Sequence, residues 1–139
     1  MESFTFTSQE RAMLKAANIG ALVLFGSQAQ GTAGPLSDFD FGVVIPGSAR
    51  VGFSEHRKDI YDTLYDLLSA KIKRLVDIDI VFLHEAPMDL QAHVMKYGQA
   101  LYEVRPDVFA EFREDVIERY ADFAPLRAVF HEAILERIR

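Results

Sequence analysis

Residues 25–40 read Phe25-Gly26-Ser27-Gln28-Ala29-Gln30-Gly31-Thr32-Ala33-Gly34-Pro35-Leu36-Ser37-Asp38-Phe39-Asp40. An apolar run, Ala21 to Phe25, ends in a Gly-Ser turn, and two carboxylates one residue apart open the next apolar run. Residues two apart on a strand point to the same face, so Asp38 and Asp40 present their carboxylates side by side. Without a cation such a pair repels and one pKa rises. Mg²⁺ removes that conflict, because it favours one or two carboxylates together with the phosphate oxygens of a substrate. Gly26 lets the backbone come close to phosphate. The N–H groups of the turn and of the helix start after it favour anions, and the Ser27 hydroxyl can donate to a β- or γ-phosphate oxygen. The stretch reads as a phosphate-gripping turn beside a metal-binding pair, which is what transfer of a nucleotide from ATP requires.

The flanking sequence supplies the frame. Thr7-Ser8-Gln9-Glu10 has capping-box form, and a first helix should run to about Asn18, where Asn18-Ile19-Gly20 ends it. Ala21–Phe25 is a strand apolar on both faces. Gly26 to Ser37 reads as a turn, one short helical turn through Gln28-Ala29-Gln30, then a loop. Asp38 to Ile45 is a second strand, stopped by Pro46-Gly47. Ser54 to Arg74 is a long amphipathic helix with Ile60, Leu64, Leu67 and Leu68 at helical spacing. Val76 to Leu83 is a third strand. Pro87 opens a helix that Gly98 ends, Ala100 to Val104 forms a short edge strand, and Pro106 opens a helix through about Phe123. Pro125 interrupts it, and a last helix holds Leu126 to Ile138. The expected fold class is α/β (α+β): a small mixed sheet with helices on one side and a helical tail, one domain over residues 1–139.

A third carboxylate on a neighbouring strand would complete a second metal site and lower the pKa of an attacking hydroxyl. Asp77 and Asp79 both qualify, since both face the same side of the third strand and each interrupts an otherwise apolar run.

Composition narrows the function. Half the residues are hydrophobic and eleven are Phe, enough for a real core. With no Cys, disulfides and thiolate zinc sites are excluded. The N-terminus lacks a basic and long apolar leader, and the longest apolar runs are strand-sized, far short of the ~20 residues of a membrane span. A soluble cytoplasmic protein without membrane contact is expected. Fifteen Lys and Arg against 21 Asp and Glu give a net charge of −6. That makes a poor general nucleic-acid binder, yet it suits a small anion delivered with a divalent metal.

The quoted residues resemble the nucleotidyltransferase superfamily of DNA polymerase β: Gly26-Ser27, ten residues, Asp38-Phe39-Asp40, then Asp79. The small size resembles the minimal nucleotidyltransferase group. The run from Asp79 through Pro87, the stretch Gly98 to Glu103 and the charged, aromatic helix from Asp107 onward look like its MntA-type antitoxin branch. The resemblance covers about residues 10–125. It implies Asp79 rather than Asp77 as third carboxylate, Gly26 and Ser27 on the triphosphate, and Asp38, Asp40 and Asp79 on Mg²⁺. It also implies a partner, a HEPN-domain RNase toxin forming an oligomer with this chain, silenced by AMP transferred from ATP to a tyrosine hydroxyl. One departure stands out. Many members carry Arg late in the turn, whereas this chain has Gln28 and Gln30; Gln can hydrogen-bond phosphate without neutralising it, which implies weaker nucleotide binding or slower transfer.

Two other readings compete. Nucleotidyl transfer to a small molecule such as an aminoglycoside usually calls on an added substrate domain, which argues against it here. A non-catalytic antitoxin would neutralise by contact through its C-terminal helices, and the two Gln favour that reading. His56, His84, His93 and His131 form no zinc-ligand pattern and read as surface or edge residues. Arg57, Lys58, Lys71, Lys73 and Arg74 read as the solvated face of the long helix. Phe109, Phe112, Val116 and Tyr120 have helical spacing and read first as core, second as a partner surface.

Overall fold

The computed structural model describes residues 4–122. In chain order they form α1 (Ser8–Ala16), β1 (Ala21–Phe25), α2 (Ser27–Gln30), β2 (Phe39–Val44), α3 (Phe53–Lys71), β3 (Ile78–Phe82), α4 (Met88–Tyr97), β4 (Gln99–Glu103) and α5 (Val108–Asp122). The last helix expected over Leu126–Ile138, and His131 with it, lie outside the described residues.

Local chemistry sets the boundaries. The Thr7 side chain accepts from the Glu10 N–H at 3.1 Å, and the Glu10 carboxylate accepts from the Thr7 N–H at 2.9 Å, so α1 starts with a complete capping box. Its end is set by Asn18 at φ +61°, a residue type that tolerates the left-handed region. Pro87 caps α4 and Gly98 closes it. Gly98 is there because the chain passes too close for a side chain: a Cβ would sit 2.5 Å from the Val94 carbonyl and 2.6 Å from Val23 Cγ1.

The sheet is mixed, in the order β3-β2-β1-β4. β1 pairs antiparallel with β2 and β4, while β2 and β3 run parallel, joined by the α3 crossover that parallel strands require. The expected edge strand is β4, with a bulge opposite Leu22/Val23.

Helices cover both faces of the sheet, not one as expected. Leu22, Leu24, Phe39, Phe41, Val43, Ile78, Ile80 and Phe82 pack with Leu14 of α1 and Ile60, Leu64 and Leu68 of α3. On the other face Ala21, Val23, Phe25 and Val44 pack with Val94 and Met95 of α4 and Val108, Phe109, Phe112 and Val116 of α5. The reason lies in β1: every residue in it is buried, so both its faces need apolar cover. The aromatic stripe of α5 is therefore core. Among the described residues no helix is long and apolar enough to cross a membrane.

His84 also departs from expectation. Its ring stands edge-on to Phe53, and its Nδ1 is buried without a hydrogen-bond partner. Burial first, then the charges of Arg50 and Arg57, push its pKa down, against a smaller opposing effect of Glu85.

Lys71 shows how the α1/α3 layer is tied. Its Nζ donates to Glu10 at 3.0 Å and to the Thr5 carbonyl at 3.0 Å. The capping hydrogen bond from Thr7 and the Lys71 ammonium hold the Glu10 carboxyl below its ordinary value of 4.5. A depressed acid stabilises the fold above its unfolded pKa, and that stability is lost as pH falls through the folded value. Glu10→Gln should therefore lower Tm at neutral pH, and the gap to the parent chain should close as pH drops below 4.5. Thermal melts from pH 7 to pH 3 check this; a gap that widens on acidification refutes it.

Candidate active site

The alternation of β2 and β3 builds the site. Phe39, Phe41, Ile78 and Ile80 turn into the α1/α3 core, so the intervening Asp38, Asp40, Asp77 and Asp79 turn to the opposite face. There they sit at the open ends of the strands, where the chain enters β2 and β3. The parallel register sets Asp40 level with Asp79, and the antiparallel register sets Asp40 level with Phe25. Asp40 is thus half-buried between an aromatic ring and a second carboxylate, while Asp38, Asp77 and Asp79 are exposed.

The electrostatics follow from that placement. The Asp40 pKa is raised, first by burial, then by the charge of Asp79, by a hydrogen bond with Asp79 that favours the protonated form, and by the charge of Asp38. Three of the carboxylates singled out in the sequence therefore act on one another, and Asp79 rather than Asp77 is the one in register. Asp77 takes a backbone part: its carbonyl accepts from the Phe39 N–H at 3.0 Å, opening the parallel ladder. Among the described residues no three His, Asp or Glu side chains are grouped as a metal cage. The donor set nevertheless fits Mg²⁺, which takes one or two carboxylates and leaves its remaining positions to water and phosphate oxygens.

Gly26 and Ser27 lie against this cluster. Gly26 has φ +75° and ψ −157°, a region open essentially to glycine alone. A Cβ there would overlap Asp40 Oδ2, so the turn backbone touches the carboxylate directly. The Gly26 carbonyl accepts from the N–H groups of Ala29 and Gln30, both at 3.1 Å, starting the short α2. Ser27 opens α2, and its carbonyl accepts from the Thr32 N–H at 3.1 Å.

The loop from Gly31 to Ser37 is braced by contacts with no local sequence signal. The Gln28 amide donates to the Ser37 carbonyl at 3.2 Å, so this Gln shapes the approach to Asp38. Arg74 Nη1 donates to the Pro35 carbonyl at 3.3 Å, and its guanidinium lies over the Phe39 ring. The expected solvated face of the long helix is thus partly committed: Lys71 to Glu10, Arg57 to Glu85, Lys58 to Asp62 and Arg74 to this loop.

Two substitutions read out the cluster from opposite directions. Gly26→Ala forces a strained backbone, costing about 1–3 kcal/mol, and displaces Asp40; lowered Tm and lost nucleotide binding are expected. Asp40→Asn removes a charge that the fold disfavours, so Tm of the metal-free, nucleotide-free protein should rise. The parent chain should approach the variant as pH falls and Asp40 takes up its proton. Differential scanning calorimetry decides both; an Asn variant less stable at every pH contradicts the repulsion.

Comparison with known proteins agrees with this geometry. The polymerase β nucleotidyltransferase family matches residues 10–107. Comparison with curated protein sequences finds no match. Among solved structures, a toxin–antitoxin complex with AMP-PNP superposes with TM-score 0.65 at 21% identity, over 93% of this chain and 99% of that one. A chain from the complex of tri-AMPylated Shewanella oneidensis HEPN toxin with MNT antitoxin gives 0.57 at 18%, over 90% and 95%. A further Shewanella oneidensis structure gives 0.59 at 18%, over 89% and 91%. At these identities the likeness is one of fold. With the family match spanning most of the sequence, from the capping Glu10 past all three interacting carboxylates, the chain belongs to the polymerase β nucleotidyltransferase family.

Proposed function

We propose that this chain is a cytoplasmic antitoxin that transfers AMP from ATP to a tyrosine hydroxyl of a HEPN-domain toxin. The observation that carries the reading is the register of Asp40 with Asp79 beside the Gly26 turn, a like-charge conflict that a phosphate-bound cation resolves. Family membership supports nucleotidyl transfer. The similar chain described as an MNT antitoxin, solved with its tri-AMPylated toxin, supports the choice of acceptor.

The division of labour follows from the side chains. Gly26 admits the triphosphate close to the backbone, and the Ser27 hydroxyl donates to one of its oxygens. Asp38, Asp40 and Asp79 would hold Mg²⁺, which when bound supplies positive charge against the phosphates and the leaving pyrophosphate. The tyrosine oxygen attacks the α-phosphorus in line, the bond from that phosphorus to the bridging oxygen breaks, and pyrophosphate departs with the electron pair. Asp79, the most open of the interacting pair, takes the tyrosine proton. A tyrosine hydroxyl has an ordinary pKa near 10, so a carboxylate in reach and a concentrated positive charge both favour the attacking form.

The test is mass spectrometry of the neighbouring gene's product after incubation with the chain, ATP and Mg²⁺. Mass gains in steps of one AMP are expected. Asp38→Ala/Asp40→Ala forfeits several kcal/mol of charge stabilisation and should slow transfer by about 10³-fold or more without lowering Tm. Full transfer by the variant refutes the site. Wild-type neutralisation without any mass gain, matched by the variant, replaces this reading with neutralisation by binding.

A further inference from the structure

Leu36 and Leu75 are the two most conspicuous apolar residues near the carboxylates: Leu36 is 84% exposed and Leu75 fully exposed. Each stands two residues ahead of an acidic strand entry, Leu36 before Asp38 and Leu75 before Asp77. The parallel register that sets Phe39 against Ile78 brings these two entries side by side. Arg74 Nη1 on the Pro35 carbonyl ties the two segments together one residue from each leucine.

The Leu36 segment is held rather than loose. Gly34 to Ser37 forms a β-turn, with the Ser37 N–H on the Gly34 carbonyl at 3.2 Å and the Gly34 N–H on Ser37 Oγ at 2.8 Å. Pro35 occupies the position where its fixed φ suits such a turn. The Gln28 amide on the Ser37 carbonyl adds a further brace. Four hydrogen bonds therefore fix a turn whose tip shows one large apolar side chain to water. Exposing a leucine on a pre-ordered turn costs solvation and returns nothing to the fold; on docking, the same rigidity leaves little entropy to lose.

We propose that Leu36 and Leu75, with exposed Lys73 beside them, form the docking rim for the protein acceptor. This rests on the transferase reading above and deepens it, since it names the surface that brings the hydroxyl to the nucleotide. The occupant is a folded protein that presents its acceptor tyrosine between an apolar patch for the two leucines and an acidic residue for Lys73. Two observations favour a protein over a small acceptor. The rim is continuous with Asp38 and Asp77, so an acceptor reaching the carboxylates from outside passes over it. Its cationic edge also stands out on a chain of net charge −6, where acidic acceptors are otherwise repelled.

The experiment compares Leu36→Asp/Leu75→Asp with Val51→Asp, a 93% exposed residue beyond the other end of β2. ATP binding with Mg²⁺, affinity for the neighbouring gene's product and AMP transfer to it are measured on the full chain. The double variant should bind ATP within about twofold of wild type, keep its Tm, and lose roughly tenfold or more in acceptor affinity and in kcat/KM, mainly through KM. Val51→Asp should match wild type. Acceptor binding unchanged in the double variant, or lost equally in Val51→Asp, overturns the rim. If wild type transfers no AMP, the transferase reading fails by itself; the affinity comparison without ATP still supports or overturns the surface.

Discussion

Strand alternation makes the fold produce an electrostatic conflict. Phe39, Phe41, Ile78 and Ile80 are committed to the α1/α3 core, and each carries about 1.5–3 kcal/mol of burial. A one-residue slip of β2 would expose that set and bury the acidic one. The apolar residues therefore dictate that Asp40 and Asp79 face each other across the parallel pair. Two ionised groups about 5 Å apart repel by roughly 1–3 kcal/mol, nearer the lower figure where water reaches one of them, as it does Asp79. The packing gain exceeds the repulsion, so the chain folds with the conflict in place.

The rest of the site exploits that surplus. Gly26 can approach Asp40 because it has no side chain, and its left-handed backbone turns β1 into α2 beside the carboxylate. Phe25, level with Asp40, excludes water on one side and strengthens every charge effect there. The carboxylates sit on strand ends anchored in two cores, so their positions are fixed before any ligand arrives. A cation with phosphates supplies what the protein lacks, and by mass action its binding stabilises the folded chain.

Much of this frame was legible because its causes are local. The Thr7–Glu10 capping box, the breaks at Asn18 and Gly98, the apolar run of β1 and the Leu64/Leu68 spacing of α3 depend on residues within a few positions of one another. The Gly26-Ser27 turn and the Asp38-X-Asp40 alternation belong to the same class. What stayed hidden depends on residues far apart in sequence. Helices on both sheet faces follow from where α4 and α5 return, although the two-faced burial of β1 already demanded cover on each side. Residue spacing could not separate Asp77 from Asp79, since both share a face; only the β2/β3 register puts Asp79 opposite Asp40. Gln28, read as a weak substitute for a phosphate-binding cation, instead braces Ser37. Arg74, read as solvated, reaches 39 residues back to Pro35.

These long-range contacts bear on what the site accepts. Asp38 and Asp79 are exposed, so reactants approach from solvent across the strand entries. A site open on that side gains little discrimination from enclosure, because water competes for each polar contact. Selectivity then has to come from surface outside the reacting atoms, where area and charge sum over many contacts. The braced turn carrying Leu36 and the neighbouring segment carrying Leu75 are rigid enough to provide it, being tied to each other through Arg74 and to α2 through Gln28. Binding energy collected there holds the acceptor hydroxyl against the α-phosphorus, turning an encounter in solution into a reaction within a complex. The same two loops that deliver the carboxylates to the strand ends thus also present the side chains that can choose the acceptor.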